Sequence, residues 1–361
     1  MGVACALGMV SCKDKGAEEW NQQQAAQAKA PVETAAPVKA AAPAQAAAET
    51  PSAEAAEQKE LLNYMIFNVG KLAGEQTTNP IWYAQVRDMR NKLEEYYNSI
   101  EARGNDPKMS MQLGLLLADI TRSMRAYDKA LKLYADTLSK WESQPEAERK
   151  TLEARRMRSS IANGTGSCYL VQRKAVEALP YYEQALEIDE AIFQELAPAD
   201  DAPLPAGNAP ISPDLERAVE DVLSSYRCLA ECQRWADDPE EARDTFKKGQ
   251  ALAMRMNNLR PGASLQFIQM LSAQGDLENS CGQLQNAYMA WARALQLTQG
   301  LEKLGSTPPA LMVKVKQDQR KLVESLKAIA PKVRAEQEAN RGEEADDMPA
   351  PAADGAQTPA E

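Results

Sequence analysis

Small and aromatic residues recur at helical spacing in the stretch GSCYLVQRKAVEALPYYEQALEI. Small residues stand at Gly166, Ala178 and Ala185, and rings stand at Tyr169 and Tyr182. On two antiparallel helices, such positions let the backbones approach closely while the rings fill the gaps between them. The pattern therefore predicts a helical hairpin.

The same spacing occurs three more times along the chain. Twelve residues separate the small residue of each first helix from that of the second. These pairs are Ala118 and Ala130, Gly166 and Ala178, Ala230 and Ala242, and Gly275 and Ala287. A ring follows four residues later, as Tyr134, Tyr182, Phe246 and Trp291, and a small residue three further on, as Thr137, Ala185, Gly249 and Ala294. This periodicity predicts four related hairpins.

The arrangement resembles the tetratricopeptide repeat, whose signature places W-x2-L-G-x2-Y before A-x3-F. The resemblance covers roughly residues 108–300 and departs from the signature where Thr121, Gln233 and Glu278 replace the first-helix ring. The anchors also lie 48, 64 and 45 residues apart, where that family has about 34. The resemblance implies an all-α fold of antiparallel helix hairpins stacked as a solenoid. A generic amphipathic helical bundle is the alternative, and it is also all-α.

Hydrophobic stripes extend the helical prediction on both sides of the repeats. Residues 58–104 predict an N-terminal hairpin whose second helix starts at Pro80 and stops near Gly104. The repeats then occupy residues 108–305. A capping helix is predicted over residues 308–341. Its stripe consists of Leu311, Val315, Leu322, Leu326 and Ile329. Such caps cover the core faces that the end units of a solenoid leave exposed.

Three segments lack the hydrophobic pattern of a folded unit. Residues 13–57 are rich in Ala and Pro, and predict a disordered, semi-extended tether. Residues 197–213 carry five prolines between the second and third repeats and predict a loop. Residues 342–361 are acidic and rich in Pro and Ala, and predict a disordered tail.

The first twelve residues are small and apolar and end in Cys12. Residues Met9-Val10-Ser11-Cys12 resemble the lipobox of bacterial lipoprotein signals, so residues 1–12 are interpreted as that signal. The resemblance implies lipidation of Cys12, and Lys13 after it implies an outer-membrane lipoprotein facing the periplasm. An unprocessed N-terminus with an incidental cysteine is the alternative.

Composition narrows the chemistry. The chain contains no histidine, which excludes Ser-His-Asp and Cys-His catalysis and histidine-ligated metals or haem. The formal net charge of −11 argues against nucleic acid as a partner. The Gly-rich stretch NGTGS lacks the Lys-Ser/Thr of a P-loop. The sequence therefore predicts no catalytic residue, no metal and no cofactor.

Two further clusters have plain structural interpretations. Arg155, Arg156 and Arg158 lie on one predicted long helix with Glu148 and Glu153, which favours a solvated face with ion pairs along that helix. Cys168, Cys228, Cys232 and Cys281 lie at helix positions that favour small, partly buried side chains. We expect these cysteines to pack rather than to bind metal or form disulfides.

The resemblance also implies a binding face. In tetratricopeptide proteins the first helices line a concave groove that takes peptides, and polar side chains occupy those positions here. The candidate peptide-binding residues are Asp119, Arg122, Asn163, Ser167, Arg227, Glu231, Arg234, Trp235, Asp276 and Asn279. Arginine and asparagine suit carboxylates and peptide groups, and Trp235 suits an anchor.

These observations lead to one expected function and two alternatives. The expectation is a lipid-anchored scaffold that binds a protein or peptide client in the bacterial cell envelope. The first alternative is a helical-bundle enzyme or ligand-binding domain that acts on cell-wall polymer with paired carboxylates, although no spacing nominates a pair. The second alternative is a structural spacer without a client. Oligomeric state is left open.

Overall fold

The computed structural model describes residues 80–104, 106–197, 212–255, 260–303, 305 and 307–346. The predicted signal, the tether, the first helix of the N-terminal hairpin, most of the 197–213 loop and the end of the acidic tail lie outside the described residues. Within the described residues the chain is all-helical and contains no strand. None of these helices combines the length and apolarity needed to cross a bilayer.

The helices begin with α1 (Pro80–Arg103), α2 (Pro107–Ser123), α3 (Tyr127–Glu142) and the single turn α4 (Glu146–Arg149). The chain continues with α5 (Leu152–Val171), α6 (Ala175–Leu196), α7 (Pro213–Trp235) and α8 (Pro239–Arg255). The last three are α9 (Pro261–Ser280), α10 (Leu284–Lys303) and α11 (Pro309–Asp346). Pro80, Pro213 and Pro309 each open a helix, where a missing N–H costs nothing.

The helices pack in consecutive pairs. The hairpins are α2–α3, α5–α6, α7–α8 and α9–α10, and each first helix from α5 onward also packs against the hairpin before it. The structure thus confirms the prediction of antiparallel helix hairpins stacked like a solenoid.

The small-and-ring pattern forms the interior of these hairpins. Of the four rings, Tyr134 and Phe246 are fully buried, and Tyr182 and Trp291 nearly so. The small residues around them are buried as well. A Cβ built on Gly275 would overlap the Trp291 ring, so that helix crossing requires glycine. Burying a large apolar side chain such as Phe246 stabilises a fold by about 1.5–3 kcal/mol, so burial of these rings stabilises the hairpins.

Each hairpin closes through the same three-residue turn. Its central residue has a positive φ, and these four residues are Arg125, Arg173, Asp237 and Gly282. Each lies seven positions after the small anchor of its first helix. In the second hairpin, the Lys174 N–H donates to the Tyr169 carbonyl and the Arg173 N–H to the Leu170 carbonyl, and the same pair of bonds recurs in the other three. This is a Schellman motif, which satisfies carbonyls left open at a helix end.

The three polar residues at ring positions are buried too. Thr121, Gln233 and Glu278 take the place of the first-helix ring. Glu278 is held by Arg243 of the preceding hairpin, with Nε to Oε1 at 3.1 Å. An ion pair between hairpins thus occupies a position where the second repeat has Tyr169.

The predicted long arginine-rich helix is wrong. The helix is interrupted after α4. Thr151 then caps the new helix α5 by accepting from the Ala154 N–H at 3.3 Å. The arginines also pair across helices rather than along their own: Arg155 pairs with Glu195 and Arg156 with Asp214. Arg158 lies over the Trp141 ring. The capping threonine therefore determines where this helix begins more strongly than the helix propensity of the neighbouring residues does.

The C-terminal helix covers the last hairpin as predicted. Val315, Leu322 and Ile329 of the predicted stripe are buried, while Leu311 and Leu326 are half-buried against the same core. The helix runs to Asp346, so residues 342–346 are helical where the composition predicts a disordered tail.

Candidate binding surface

The ten predicted groove residues lie on the four first helices of the hairpins. Asp119 and Arg122 are on α2, Asn163 and Ser167 on α5, four more on α7, and Asp276 and Asn279 on α9. We call this set of positions the inner row. Most of these residues contact other residues of the chain, and the contacts differ from one hairpin to the next.

Asp119 and Arg122 form a closed network with a buried ring. The Tyr134 hydroxyl donates to Asp119 Oδ1 at 2.6 Å. Arg122 donates through Nε to the Tyr134 oxygen at 3.2 Å and through Nη1 to Ser167 Oγ at 3.3 Å. Burial and the neighbouring charge of Asp119 raise the pKa of Tyr134 well above its usual value, so the ring remains a neutral donor. Three of the predicted groove residues therefore hold the first two hairpins together.

The residue directly after the small anchor of the first helix also contacts the ring in the fourth hairpin. Asp276 follows the small anchor of the fourth repeat as Asp119 follows that of the first, and it accepts from Trp291 Nε1 at 3.2 Å. Burial raises the pKa of Tyr182, and the Ser167 hydroxyl, which occupies the equivalent position in the second repeat, opposes that shift. Glu231 occupies this position in the third repeat, whose ring is Phe246, and it pairs with Arg227 instead. In the first and fourth repeats, an aspartate after the anchor thus accepts a hydrogen bond from the ring.

The C-terminal helix also reaches the inner row. Lys321 Nζ lies 2.9 Å from Asp276 Oδ2, and Gln269 Nε2 of α9 donates to Asp318 Oδ2 at 3.1 Å. Asp276 therefore has two partners within the chain, one on α10 and one on α11.

Asn163 belongs to a buried polar cluster between three helices. Its Nδ2 donates to Ser225 Oγ at 3.2 Å, and Ser225 Oγ donates to Asp189 Oδ2 at 2.6 Å. Burial raises the pKa of Asp189 to about 6, although hydrogen bonds from Ser225 and Ser159 oppose the shift. The cluster joins α5, α6 and α7, so Asn163 contributes to packing between the second and third hairpins.

Arg227 and Glu231 pair along α7, with Arg227 Nη1 at 3.1 Å from Glu231 Oε1. The Arg227 Nε is buried and has no hydrogen-bond partner among the described residues. This guanidinium keeps donors that the ion pair does not use.

The end of α7 carries an exposed aromatic residue between two arginines. Half of the Trp235 surface is exposed. Arg173 Cζ lies 4.6 Å from the ring centroid and Arg234 Cζ lies 4.8 Å from it, within the range of cation–π interactions. We call these three residues the rim stack. The sequence interpretation included Trp235 and Arg234 but missed Arg173, which lies on the turn of the neighbouring hairpin.

The cysteines divide into two groups. Cys168 and Cys232 are fully buried and Cys228 is half-buried, and Cys232 Sγ donates to the Ala175 carbonyl at 3.3 Å, which fits the packing interpretation. Cys281 is exposed at the end of α9, so the expectation of partial burial is wrong there. All four are free thiols, and the described residues contain no cluster of three potential metal ligands.

Comparison with known proteins yields a structural similarity alone. No protein-family model matches the chain, and no curated protein shows a significant match. Among solved structures, the chain is similar to the crystal structure of BtubC (BKLC) from P. vanneervenii, with 16% sequence identity and a TM-score of 0.45. The match covers 77% of this chain and 98% of that one. A similarity at this level carries no argument about function.

Proposed function

We propose that this protein is a non-catalytic scaffold that binds a protein client in the bacterial cell envelope and is anchored there by a lipid on Cys12. The client binds the first-helix side of the stacked hairpins, as the resemblance to tetratricopeptide repeats implies. The proposal assigns no catalytic residue.

The exposed Trp235 is the observation that carries the proposal. The other rings at key positions, such as Tyr134 and Trp291, are buried within hairpins. Trp235 is instead half exposed, with an arginine from each of two hairpins beside it. Tryptophan and arginine dominate the binding energy of protein interfaces, so this composition favours a docking surface.

The internal contacts reduce the number of groove residues free to bind a client. Asp119, Arg122, Asn163 and Asp276 are engaged with neighbouring helices. Ser167 is engaged as well, because it accepts from Arg122, so the remaining candidates are Arg227, Glu231, Arg234, Trp235 and Asn279. Client binding is therefore proposed to centre on α7 and the adjacent end of α9.

The scaffold proposal is tested by site-specific cross-linking in intact envelopes. A photo-cross-linking residue replaces Asn279 in one version of the full chain and Lys248 in another, because Lys248 is exposed on the second helix α8. We expect a discrete adduct from position 279 and none from position 248. Absence of any adduct from position 279 and from further exposed positions on α7 would favour the spacer alternative.

The anchor proposal rests on the sequence pattern and has its own test. Cells expressing the wild-type chain or Cys12→Ser are grown with a labelled fatty acid, and the protein is then fractionated. We expect label and membrane association in the wild type and neither in the variant. Equal fractionation of the two forms, without label, would contradict lipidation.

A further inference from the structure

The rim stack holds two guanidinium groups in fixed positions on one indole. Arg173 comes from the turn between α5 and α6, and Arg234 comes from the last turn of α7. Their distances of 4.6 and 4.8 Å from the Trp235 centroid place both groups against the ring. Stacking leaves the hydrogen-bond donors at the edge of a guanidinium available, because the interaction uses its face.

Neither arginine has a carboxylate partner among the described residues. This differs from Arg155, Arg156 and Arg243, which each pair with a carboxylate of another helix. The two guanidiniums therefore retain unused capacity for an anion.

Two acidic residues close in sequence do not change this conclusion. Asp237 and Asp238 follow Trp235 in the turn before α8. Asp238 Oδ1 accepts from the Glu241 N–H at 3.2 Å and caps that helix. Neither carboxylate forms an ion pair with Arg173 or Arg234 in the described structure.

We propose that the rim stack binds an acidic segment of a partner protein, with its carboxylates on Arg173 and Arg234 and an apolar side chain against the exposed part of Trp235. This inference rests on the proposed scaffold function and names the chemistry of the client. The planar fork of arginine matches a carboxylate through two parallel hydrogen bonds, and stacking has already restricted its rotamers. Less side-chain entropy is therefore lost on binding.

A protein segment fits this surface better than an anionic membrane. The chain has a formal net charge of −11, which disfavours approach to an extended anionic surface. The guanidiniums also lie against the indole, so insertion of Trp235 into a bilayer would bring two charges with it. A short acidic peptide can bind without bringing the chain to an extended anionic surface and without inserting Trp235 into a bilayer.

The test uses the full chain and two labelled peptides of equal length, one alternating glutamate and leucine and the other alternating glutamine and leucine. Fluorescence anisotropy measures binding to the wild type, to the double variant Arg173→Gln/Arg234→Gln, and to Trp235→Ala. Arg125→Gln is the matched control, because Arg125 holds the same turn position in the first hairpin, and the following hairpin has the exposed Val171 at the position that corresponds to Trp235.

We expect the wild type to bind the glutamate peptide at least tenfold more tightly than the glutamine peptide. The double variant and Trp235→Ala should each lose about tenfold in affinity for the glutamate peptide, and Arg125→Gln should lose less than twofold. Equal affinity for the two peptides would overturn the proposal, and so would an equal loss in Arg125→Gln, which would indicate unspecific charge attraction. Binding to vesicles of anionic phospholipid that depends on the same residues, without peptide binding, would assign the surface to a membrane instead.

Failure of the acidic-client inference can be distinguished from failure of the scaffold proposal. If position 279 gives a discrete adduct that persists in Arg173→Gln/Arg234→Gln, the scaffold stands and the acidic-client inference fails. If neither position 279 nor any exposed position on α7 gives an adduct, the scaffold proposal fails irrespective of the peptide results.

Discussion

The Tyr134 network and the rim stack contain the same kinds of residue in two different states. In the Tyr134 network, Asp119 and Arg122 of the inner row and the Tyr134 ring satisfy one another across two helices, and Ser167 extends the network to the next hairpin. In the rim stack, Arg173 and Arg234 lie on an exposed ring and have no described carboxylate partner. The comparison shows that a polar residue on a first helix is not by itself a sign of binding. What matters is whether the fold already supplies its partner.

The largest contrast is expected from removing the two aromatic side chains. Tyr134→Ala should lower the free energy of unfolding by about 3–5 kcal/mol, because it opens a cavity and leaves Asp119 and Arg122 without their shared partner. Trp235→Ala should lower it by about 1 kcal/mol or less, since half of that side chain is already exposed. Urea unfolding followed by circular dichroism measures both. Similar losses in the two variants would mean that the rim stack is structural.

Asp189 provides a pH-dependent measure of the buried contacts. Its pKa of about 6 lies above its ordinary value, so the folded state binds more protons than the unfolded state between about pH 4 and 6. Its contribution to stability therefore falls as the pH rises through this range, by about 3 kcal/mol in total. We expect the pH profile of Asp189→Asn to lack this fall, as measured by urea unfolding at a series of pH values. Parallel profiles for the two proteins would contradict the raised pKa.

The position after each small anchor gives a finer comparison. Asp119→Ala should destabilise the fold by about 2 kcal/mol, because it leaves the buried Tyr134 hydroxyl without its acceptor. Glu231→Ala should cost about 1 kcal/mol or less, since Phe246 offers no polar atom and the pair with Arg227 is local. Thermal unfolding of the two variants tests the rule. A Glu231→Ala variant as unstable as Asp119→Ala would refute the link between this position and the ring.

The turn residues separate backbone strain from binding, with the smallest effect on stability. Arg125→Gly and Arg173→Gly should each stabilise the fold by up to about 1 kcal/mol, because glycine adopts a positive φ without steric cost. Only Arg173→Gly should lower the affinity for the glutamate peptide, since Arg125 has no ring beside its turn that corresponds to Trp235. Differential scanning calorimetry and the anisotropy assay are run on the same samples. Weaker peptide binding in Arg125→Gly would show that turn geometry, rather than the stack, controls affinity.

Much of the fold was predictable because its signals are local. The spacing of the small residues and the rings identified four hairpins, and Pro80 and Pro213 marked the starts of two helices. The predicted arginine-rich helix failed because the capping Thr151 outweighs the helix propensity of the residues around it. The four turns with positive φ were missed, since three of them hold Arg125, Arg173 and Asp237 instead of the glycine that usually marks such a position.

The candidate site was less predictable, because its chemistry depends on contacts between hairpins. The sequence placed Asp119 and Asp276 on a shared face but gave no sign that Tyr134 and Trp291 would donate to them. One signal was present in the sequence: an aspartate follows the anchor in the two repeats where the ring is Tyr134 or Trp291, both of which carry a donor. The signal is not unique, since Glu231 follows the anchor of the repeat whose ring is Phe246.

The sequence by itself determined an all-α chain of repeated hairpins, because helical periodicity and close-packing positions are written within each unit. Only the tertiary structure decided which polar residues are already satisfied. Lys321 reaches Asp276 across 45 residues, and Arg173 meets Trp235 across a hairpin boundary. Such pairs depend on how neighbouring hairpins stack on one another. The unequal spacing of 48, 64 and 45 residues between anchors does not specify that stacking. A periodic pattern fixes the faces of each helix, whereas partners from different hairpins meet only when those faces have packed.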